Sequence, residues 1–358
     1  MTDLHTESRL KAVAGLGQQI WLDNLSRELV QSGQLADWIR EDGVQGVTSN
    51  PSIFASAIAK DAAYLAALPA IRAAHAGLEQ RFEALVLPDV RRACDLFAPL
   101  YQDSQCQAGY VSFEVSPELA QDSAATVLAA KRLWASIDRP NAMIKIPATE
   151  AGIAALEEVI FAGINVNVTL IFNARQLGQV RAAHRRGLAR RLDAKLSVQR
   201  IASVASVFIS RVDAAVDAQL PAAASHLRGK AAIAAARLAY RDWKNDSAFG
   251  VFAAFGAMPQ MLLWASTGAK DPAMRDVSYV EELIGAGTVN TVPEATLLAF
   301  RDHGEARLSL AQDVAEAQAT LSQLARHGID LDTIGNDLLA KGLAQFDQAF
   351  ANLLDQVA

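Results

Sequence analysis

Cysteine is nearly absent from this chain, with only Cys94 and Cys106 among 358 residues and no Cys-x-x-Cys pair. Neither a disulfide framework nor a thiolate zinc site is expected. The six histidines, at 5, 75, 184, 226, 303 and 327, never recur at His-x-x-x-His spacing, so a metal is not the expected electrophile. Excess positive charge is missing too. With 33 Lys and Arg against 39 Asp and Glu, the net charge of -6 gives no electrostatic case for nucleic acid or an anionic membrane. No stretch approaches the roughly 18 apolar residues of a membrane span, and residues 1–19 are polar where a signal peptide would be apolar. A soluble, cytoplasmic protein is the expectation. Linkers, charge blocks and low-complexity segments are not found either.

What is present is an ordinary globular composition, 51% hydrophobic and 20% charged, long enough for a large core. At its centre stands Ala142-Met143-Ile144-Lys145-Ile146-Pro147-Ala148-Thr149-Glu150. The five positions before Pro147 read as a short strand with apolar side chains on both faces, yet one of them is a lysine. Burial disfavours an ammonium and favours the neutral amine, which is a nucleophile for carbonyl carbons. The plainer alternative is a lysine that ends an edge strand or reaches out to water.

The other strands bear on that choice. Gln18–Asp23 is a short apolar strand ending on a carboxylate, followed by a helix from Asn24 to Ser32 that Gly33 stops. A second strand, Gly43–Thr48, breaks at Ser49-Asn50-Pro51, where Pro51 suits the first turn of a helix. Residues 52–99 read as two or three helices punctuated by Pro69 and Pro88. Tyr110–Glu114 is the third strand, again closing on a carboxylate, and a helix from Asp122 to Ser136 precedes the lysine strand. After a helix over Ile153–Phe161 comes the fifth strand, Ile164–Leu170, whose alternation puts Asn165, Asn167 and Thr169 on one face. Amides there need something polar in front of them. A helix over Asn173–Leu192 carries Arg181, Arg185, Arg186, Arg190 and Arg191, which are expected to form a solvated face. Arg200–Ala205, Met261–Ser266 and Gly287–Val292 complete the strands, with an alanine-rich helical stretch over 213–258. A helix follows over Glu294–Phe300, and the tail is expected to be helical from Glu305 onward. Its stripe of Leu339, Leu343, Phe346, Phe350, Leu353 and Leu354 is expected to pack on the barrel or a second subunit rather than bind a cofactor.

Eight short strands separated by helices predict an α/β fold, one (β/α)8 TIM barrel over residues 1–358 with extra helices and a C-terminal helical tail. In such a barrel, chemistry gathers where strands end. Asp23, Asn50, Glu114, Asn167 with Thr169, Ser206 and Ser266 all sit at or just beyond strand ends, and Lys145 lies within its strand. Each alone could be a helix cap or a turn residue. Seven of eight strands offering a polar group to one face favours carbonyl chemistry through an imine.

The motifs also resemble a known family. Gly-Val-Thr-Ser-Asn-Pro-Ser at 46–52, Ile-Lys-Ile-Pro-Ala-Thr at 144–149, Asn-Val-Thr-Leu-Ile-Phe at 167–172 and Ser-Arg-Val-Asp at 210–213 together resemble transaldolase. The longer form is the closer likeness, through Trp-Ala-Ser-Thr-Gly-Ala-Lys at 264–270 and Thr-Val-Asn-Thr-Val-Pro-Glu-Ala-Thr at 288–296. The resemblance implies a cofactor-free class I enzyme of the non-oxidative pentose phosphate pathway. It moves a dihydroxyacetone unit from a ketose phosphate (sedoheptulose 7-phosphate or fructose 6-phosphate) to an aldose phosphate (glyceraldehyde 3-phosphate or erythrose 4-phosphate). Sugar phosphates are the implied partners, with a monomer or homodimer as the assembly.

By the same resemblance Lys145 forms the Schiff base, Asp23 exchanges the proton of the C4 hydroxyl, and Glu114 works through a water that Thr169 helps hold. Asn50, Asn167 and Ser206 grip the three-carbon fragment, and Arg211 with Ser266 forms the phosphate site. The short form's arginine two places after that serine is replaced here by Gly268, and Lys270 could supply the second charge. Two other readings stand beside this one. A sugar-phosphate aldolase would release free dihydroxyacetone, although the related fructose 6-phosphate aldolases carry glutamine where this chain has Glu114. A non-catalytic phospho-sugar sensor would not need the lysine and carboxylate set.

Overall fold

The computed structural model describes residues 8–271 and 273–358; residues 1–7, with His5 and the start of the polar amino-terminal segment, and Pro272 lie outside the description. Eight strands form a closed barrel in sequence order: β1 Gln19–Asp23, β2 Gly46–Thr48, β3 Tyr110–Glu114, β4 Ala142–Pro147, β5 Val166–Ile171, β6 Ser203–Phe208, β7 Met261–Ala265 and β8 Val289–Val292. Every neighbouring pair is parallel, and β8 closes on β1. This is the (β/α)8 barrel the alternation of elements predicts, with helices outside. Strands covered on both faces are nearly continuous runs of buried residues, as in β4 and β5.

Short polar residues start the helices just beyond the strands. Asn50, Asp122, Thr149 and Asn173 each accept a backbone N–H at the helix start, satisfying one of the donors a helix leaves unpaired. The turn after β4 is so tight that a Cβ on Gly152 would lie 2.0 Å from the Pro147 carbonyl oxygen, so only glycine fits.

Several boundaries depart from the sequence reading. The helix expected over Asn24–Ser32 is confined to Arg27–Gln31, because Ser26 caps it. The segment after Pro51 forms three helices, Pro51–Lys60, Ala62–Ala74 and Leu78–Asp103, but their breaks fall at Asp61 and at residues 75–77. Pro69 and Pro88 lie inside helices, tolerated where burial of one helical face outweighs the lost backbone bond. The sixth strand begins at Ser203, after Arg200 with φ +59°, and continues through Ser206 to Phe208. The alanine-rich stretch is broken into short pieces around the helices Ser210–Asp217 and Ala231–Lys244. Residues 304–313 are not helical, and the tail forms two helices, Val314–Arg326 and Leu331–Val357. Among the described residues no single helix is long and apolar enough to cross a membrane.

The last helix crosses the barrel mouth. Its stripe buries Phe346, Phe350 and Leu353 against the helices Pro51–Lys60 and Leu78–Asp103 and against β5. Gly342 permits the close approach, since a Cβ there would meet Leu170 Cδ2 at 3.1 Å. Leu170 itself has φ +60° beside an irregularity in the β5–β6 register, a bulge of the kind that re-aims side chains near functional sites.

Candidate active site at the barrel mouth

Lys145 is 5% exposed and points into the barrel. It neither ends an edge strand nor reaches bulk water. Its Nζ donates to the Ser49 carbonyl at 3.0 Å and lies 3.5 Å from Glu114 Oε2. The pairing follows from register, since Glu114 on β3 lies directly beside Lys145, and Asn167 on β5 lies beside it on the other side. Phe346 from the last helix covers the amine, its ring centre 5.9 Å from Nζ. An ammonium between a carboxylate, a carbonyl and an aromatic face has its charge accounted for without water.

A cavity of about 400 Å³ opens above the amine. Asp23, Asn50, Lys145, Thr169, Ser206, Arg211, Ser266 and Lys270 all line it, so eight of the ten residues singled out from sequence converge on one space. The other two, Glu114 and Asn167, sit behind its wall. Asn167 is fully enclosed, donating to Ser112 Oγ at 3.0 Å and accepting from Ser206 Oγ at 2.6 Å. One N–H of its amide remains for a further acceptor.

Enclosure sets the acid–base properties. Burial raises the Glu114 carboxyl to about 7, against the lowering pull of the Lys145 charge, with Asp23 pushing it further up. Burial also raises Asp23, opposed by Lys145, by the hydroxyl of Thr48 and by Arg211. Thr48 Oγ1 donates to Asp23 Oδ1 at 2.7 Å and meets Thr291 Oγ1 at 2.7 Å, which brings the eighth strand into the site. Two buried oxygens stand out. Glu114 Oε2 and Thr169 Oγ1 have no hydrogen-bond partner among the described residues. Unpaired buried polar atoms are uncommon enough to call for a reason.

At the outer end of the cavity, Arg211 donates to Gln345 Oε1 at 2.9 Å and lies over the Phe208 ring at 5.4 Å. Ser266 Oγ is 2.9 Å from Ser210 Oγ, and its backbone has φ +57°, an uncommon conformation for a non-glycine residue. Lys270 is exposed on the same rim. Asn50 is both things the sequence allowed, a helix cap through its oxygen and a cavity wall.

A family profile described as transaldolase/fructose-6-phosphate aldolase matches residues 20–357. The chain belongs to that family. It is 49% identical over 354 residues to a transaldolase of Thiobacillus denitrificans, covering 97% of this chain and 99% of the relative. A transaldolase of Neisseria meningitidis serogroup C is 51% identical over 348 residues, covering 96% of this chain and 98% of the relative. A protein named transaldolase 2, from Nostoc punctiforme, is 42% identical over 372 aligned positions, covering 98% and 97%. Sequence reasoning about this transaldolase-family site missed Ser49, Thr48, Thr291 and Phe346. Alternation of β2 and β8 could have found the two threonines; the apolar stripe marks Phe346 as packing on the barrel, but nothing local in the sequence places it over Lys145, some two hundred residues away.

Proposed function

We propose that this chain is a transaldolase acting through a Schiff base on Lys145. The observation that carries the reading is the enclosed amine with Glu114 Oε2 at 3.5 Å and the Asp23 carboxylate in the same cavity. Lys145 adds to the ketone of fructose 6-phosphate or sedoheptulose 7-phosphate, and loss of water gives the protonated imine. Glu114, titrating near neutrality, supplies and removes protons in those steps through a water shared with Thr169, a role suited to two buried oxygens that make no hydrogen bond within the protein. Asp23 then takes the proton from the C4 hydroxyl. The C3–C4 bond breaks, its electron pair moves toward the imine nitrogen, and an aldose phosphate leaves.

The bound three-carbon enamine is held by Asn50, Asn167 and Ser206 until an acceptor aldehyde arrives. Its carbon attacks that aldehyde, Asp23 returns the proton to the new hydroxyl, and hydrolysis frees Lys145 and the product ketose. Arg211, Ser266 and Lys270 hold the phosphate at the rim, where a planar guanidinium fork matches phosphate oxygens. Holding rather than releasing the three-carbon unit separates transfer from cleavage. Glu114 supports transfer over the aldolase reading.

Borohydride in the presence of fructose 6-phosphate is expected to attach the three-carbon unit to Lys145, located by peptide mass mapping. A tag on another lysine, or none, removes the proposal. Consumption of fructose 6-phosphate is expected to require erythrose 4-phosphate, whereas an aldolase would proceed without it.

A further inference from the structure

Asp23, the base proposed for bond cleavage, does not stand alone at the barrel mouth. Its strand lies between β2 and β8, and each neighbour brings a threonine toward it. Thr48 is the register partner of Asp23 in the β1–β2 pair, and Thr291 is the partner of Trp21 in the β1–β8 pair. Alternation along β1 puts Trp21 and Asp23 on one face. Trp21 is fully buried and packs so closely over Gly46 that a Cβ there would lie 2.6 Å from its ring. Thr48 and Thr291 are 2% and 4% exposed, and both line the cavity above Lys145. Valine has the same shape, and a buried hydroxyl is costly unless it is bonded, so packing alone gives no reason for two hydroxyls here.

The number of hydrogens available fixes which way the bonds run. Thr48 Oγ1 lies 2.7 Å from Asp23 Oδ1 and 2.7 Å from Thr291 Oγ1. An ionised carboxylate only accepts, and a hydroxyl has a single hydrogen. With Asp23 ionised, the hydrogen of Thr48 goes to Oδ1, and the Thr291 hydroxyl must then donate to Thr48. The result is a chain of two bonds running one way, Thr291 to Thr48 to Asp23, in which each bond polarises the next. Oδ1 is engaged, which leaves Oδ2 for the substrate hydroxyl. Burial works against the ionised form of this carboxyl, and Lys145, the Thr48 hydroxyl and Arg211 work for it. Only in that form can Asp23 act as a base.

We propose, resting on the Schiff-base reading, that Thr291 is a positioning residue for the cleavage step and acts on Asp23 through Thr48. Thr48 holds the carboxylate directly. Thr291 fixes the direction of the one hydrogen with which Thr48 does so; without it the Thr48 hydroxyl is free to rotate away from Oδ1. The eighth strand, to which the sequence assigned no site residue, thereby contributes one.

Rapid mixing with fructose 6-phosphate, a borohydride quench and peptide mass mapping test this. The tag on Lys145 carries six carbons before C3–C4 cleavage and three after it. Thr291→Val is expected to slow conversion of the six-carbon to the three-carbon tag by about threefold to tenfold, the worth of one neutral hydrogen bond. Total tag should match wild type, because imine formation does not use Asp23, and this shows that the variant folds. Thr291→Ser keeps the hydroxyl and should recover most of the lost rate. Thr48→Val should slow conversion by about tenfold to a hundredfold, since its bond goes to a charged group. The double variant should convert no more slowly than Thr48→Val, as follows for a residue that acts only through Thr48. Wild-type conversion in Thr291→Val, no recovery in Thr291→Ser, or a double variant slowed by the product of the two single factors would each overturn the proposal. An untagged Lys145 in the wild-type enzyme would instead remove the Schiff-base reading, and this inference with it.

Discussion

Asn165, just before the fifth strand, and Asn167, within it, are two residues apart and both buried, yet they sit in different chemistry. Asn165, toward the amino end of the barrel, has its amide closed on backbone. It donates to the Pro140 and Ala142 carbonyls and accepts from the Ala202 N–H. Asn167, one layer nearer the mouth, bonds only to side chains, Ser112 and Ser206, beside Lys145. The same contrast holds for two buried carboxylates. Asp213 is raised to about 6 and Glu114 to about 7, burial being the main cause for both. Asp213 accepts from the Ala232 N–H at 2.7 Å and the Tyr279 hydroxyl at 2.8 Å, whereas Glu114 Oε2 has no hydrogen-bond partner among the described residues. A displaced pKa therefore does not by itself separate scaffold from site. Position does so better, since Glu114 Oε2 lies 3.5 Å from Lys145 Nζ.

The largest effects are expected at the two carboxylates around the amine, Asp23 lining the cavity and Glu114 beside Lys145. Asp23→Ala should still be trapped on Lys145 by borohydride while turnover falls by roughly 10³-fold or more, because imine formation does not need this group but bond cleavage does. Normal turnover in that variant, measured with fructose 6-phosphate and erythrose 4-phosphate, would show that Asp23 is not the base. Next comes Glu114→Gln, nearly isosteric and next to the same amine. Turnover should drop about 10²- to 10³-fold, and the bend expected near pH 7 in the wild-type pH–rate profile should be absent from the variant's. A variant profile that keeps the bend would put the titrating group elsewhere and erase the distinction drawn from Asp213.

Much of this was legible in the chain because closed barrels repeat one local rule. Strands buried on both faces read as apolar runs, and polar residues at their ends cap the next helix or enter the site, so Asp23, Glu114 and Lys145 could be named by position. Asn165 shows the limit of that rule. The alternation that put it on a face with Asn167 could not say that one layer closes on backbone and the next on the site. Phe346 and Gln345 show another, since long-range docking brings them to Lys145 and Arg211. Helix ends within 52–99 differ from the sequence reading because a proline ordinarily breaks a helix, whereas packing here overrides it at Pro69 and Pro88.

Asn165→Ala tests the amino-end layer. It leaves two carbonyls and one N–H unpaired in the barrel wall, which should lower unfolding free energy by about 2–4 kcal/mol in urea titrations with kcat little changed. Asn167→Ala should lose activity more than stability, and the reverse outcome would break the comparison of the two asparagines.

The smallest expected effect is the pH dependence of Asp213. In the folded chain its carboxyl titrates near 6, above the ordinary carboxyl value it regains on unfolding, so between roughly pH 4 and 6 the folded state holds the extra proton. The stabilising contribution is therefore fully present below about pH 4 and is lost as pH rises through 6. A tenfold difference in proton affinity between the folded and unfolded chain corresponds to about 1.4 kcal/mol, so wild type should lose about 2 kcal/mol between pH 4 and 7 relative to Asp213→Asn. Parallel stability curves for the two proteins would mean that the closed hydrogen bonds of Asp213 offset its burial. The carboxylates of Asp213 and Glu114 would then differ in proton affinity as well as in bonding.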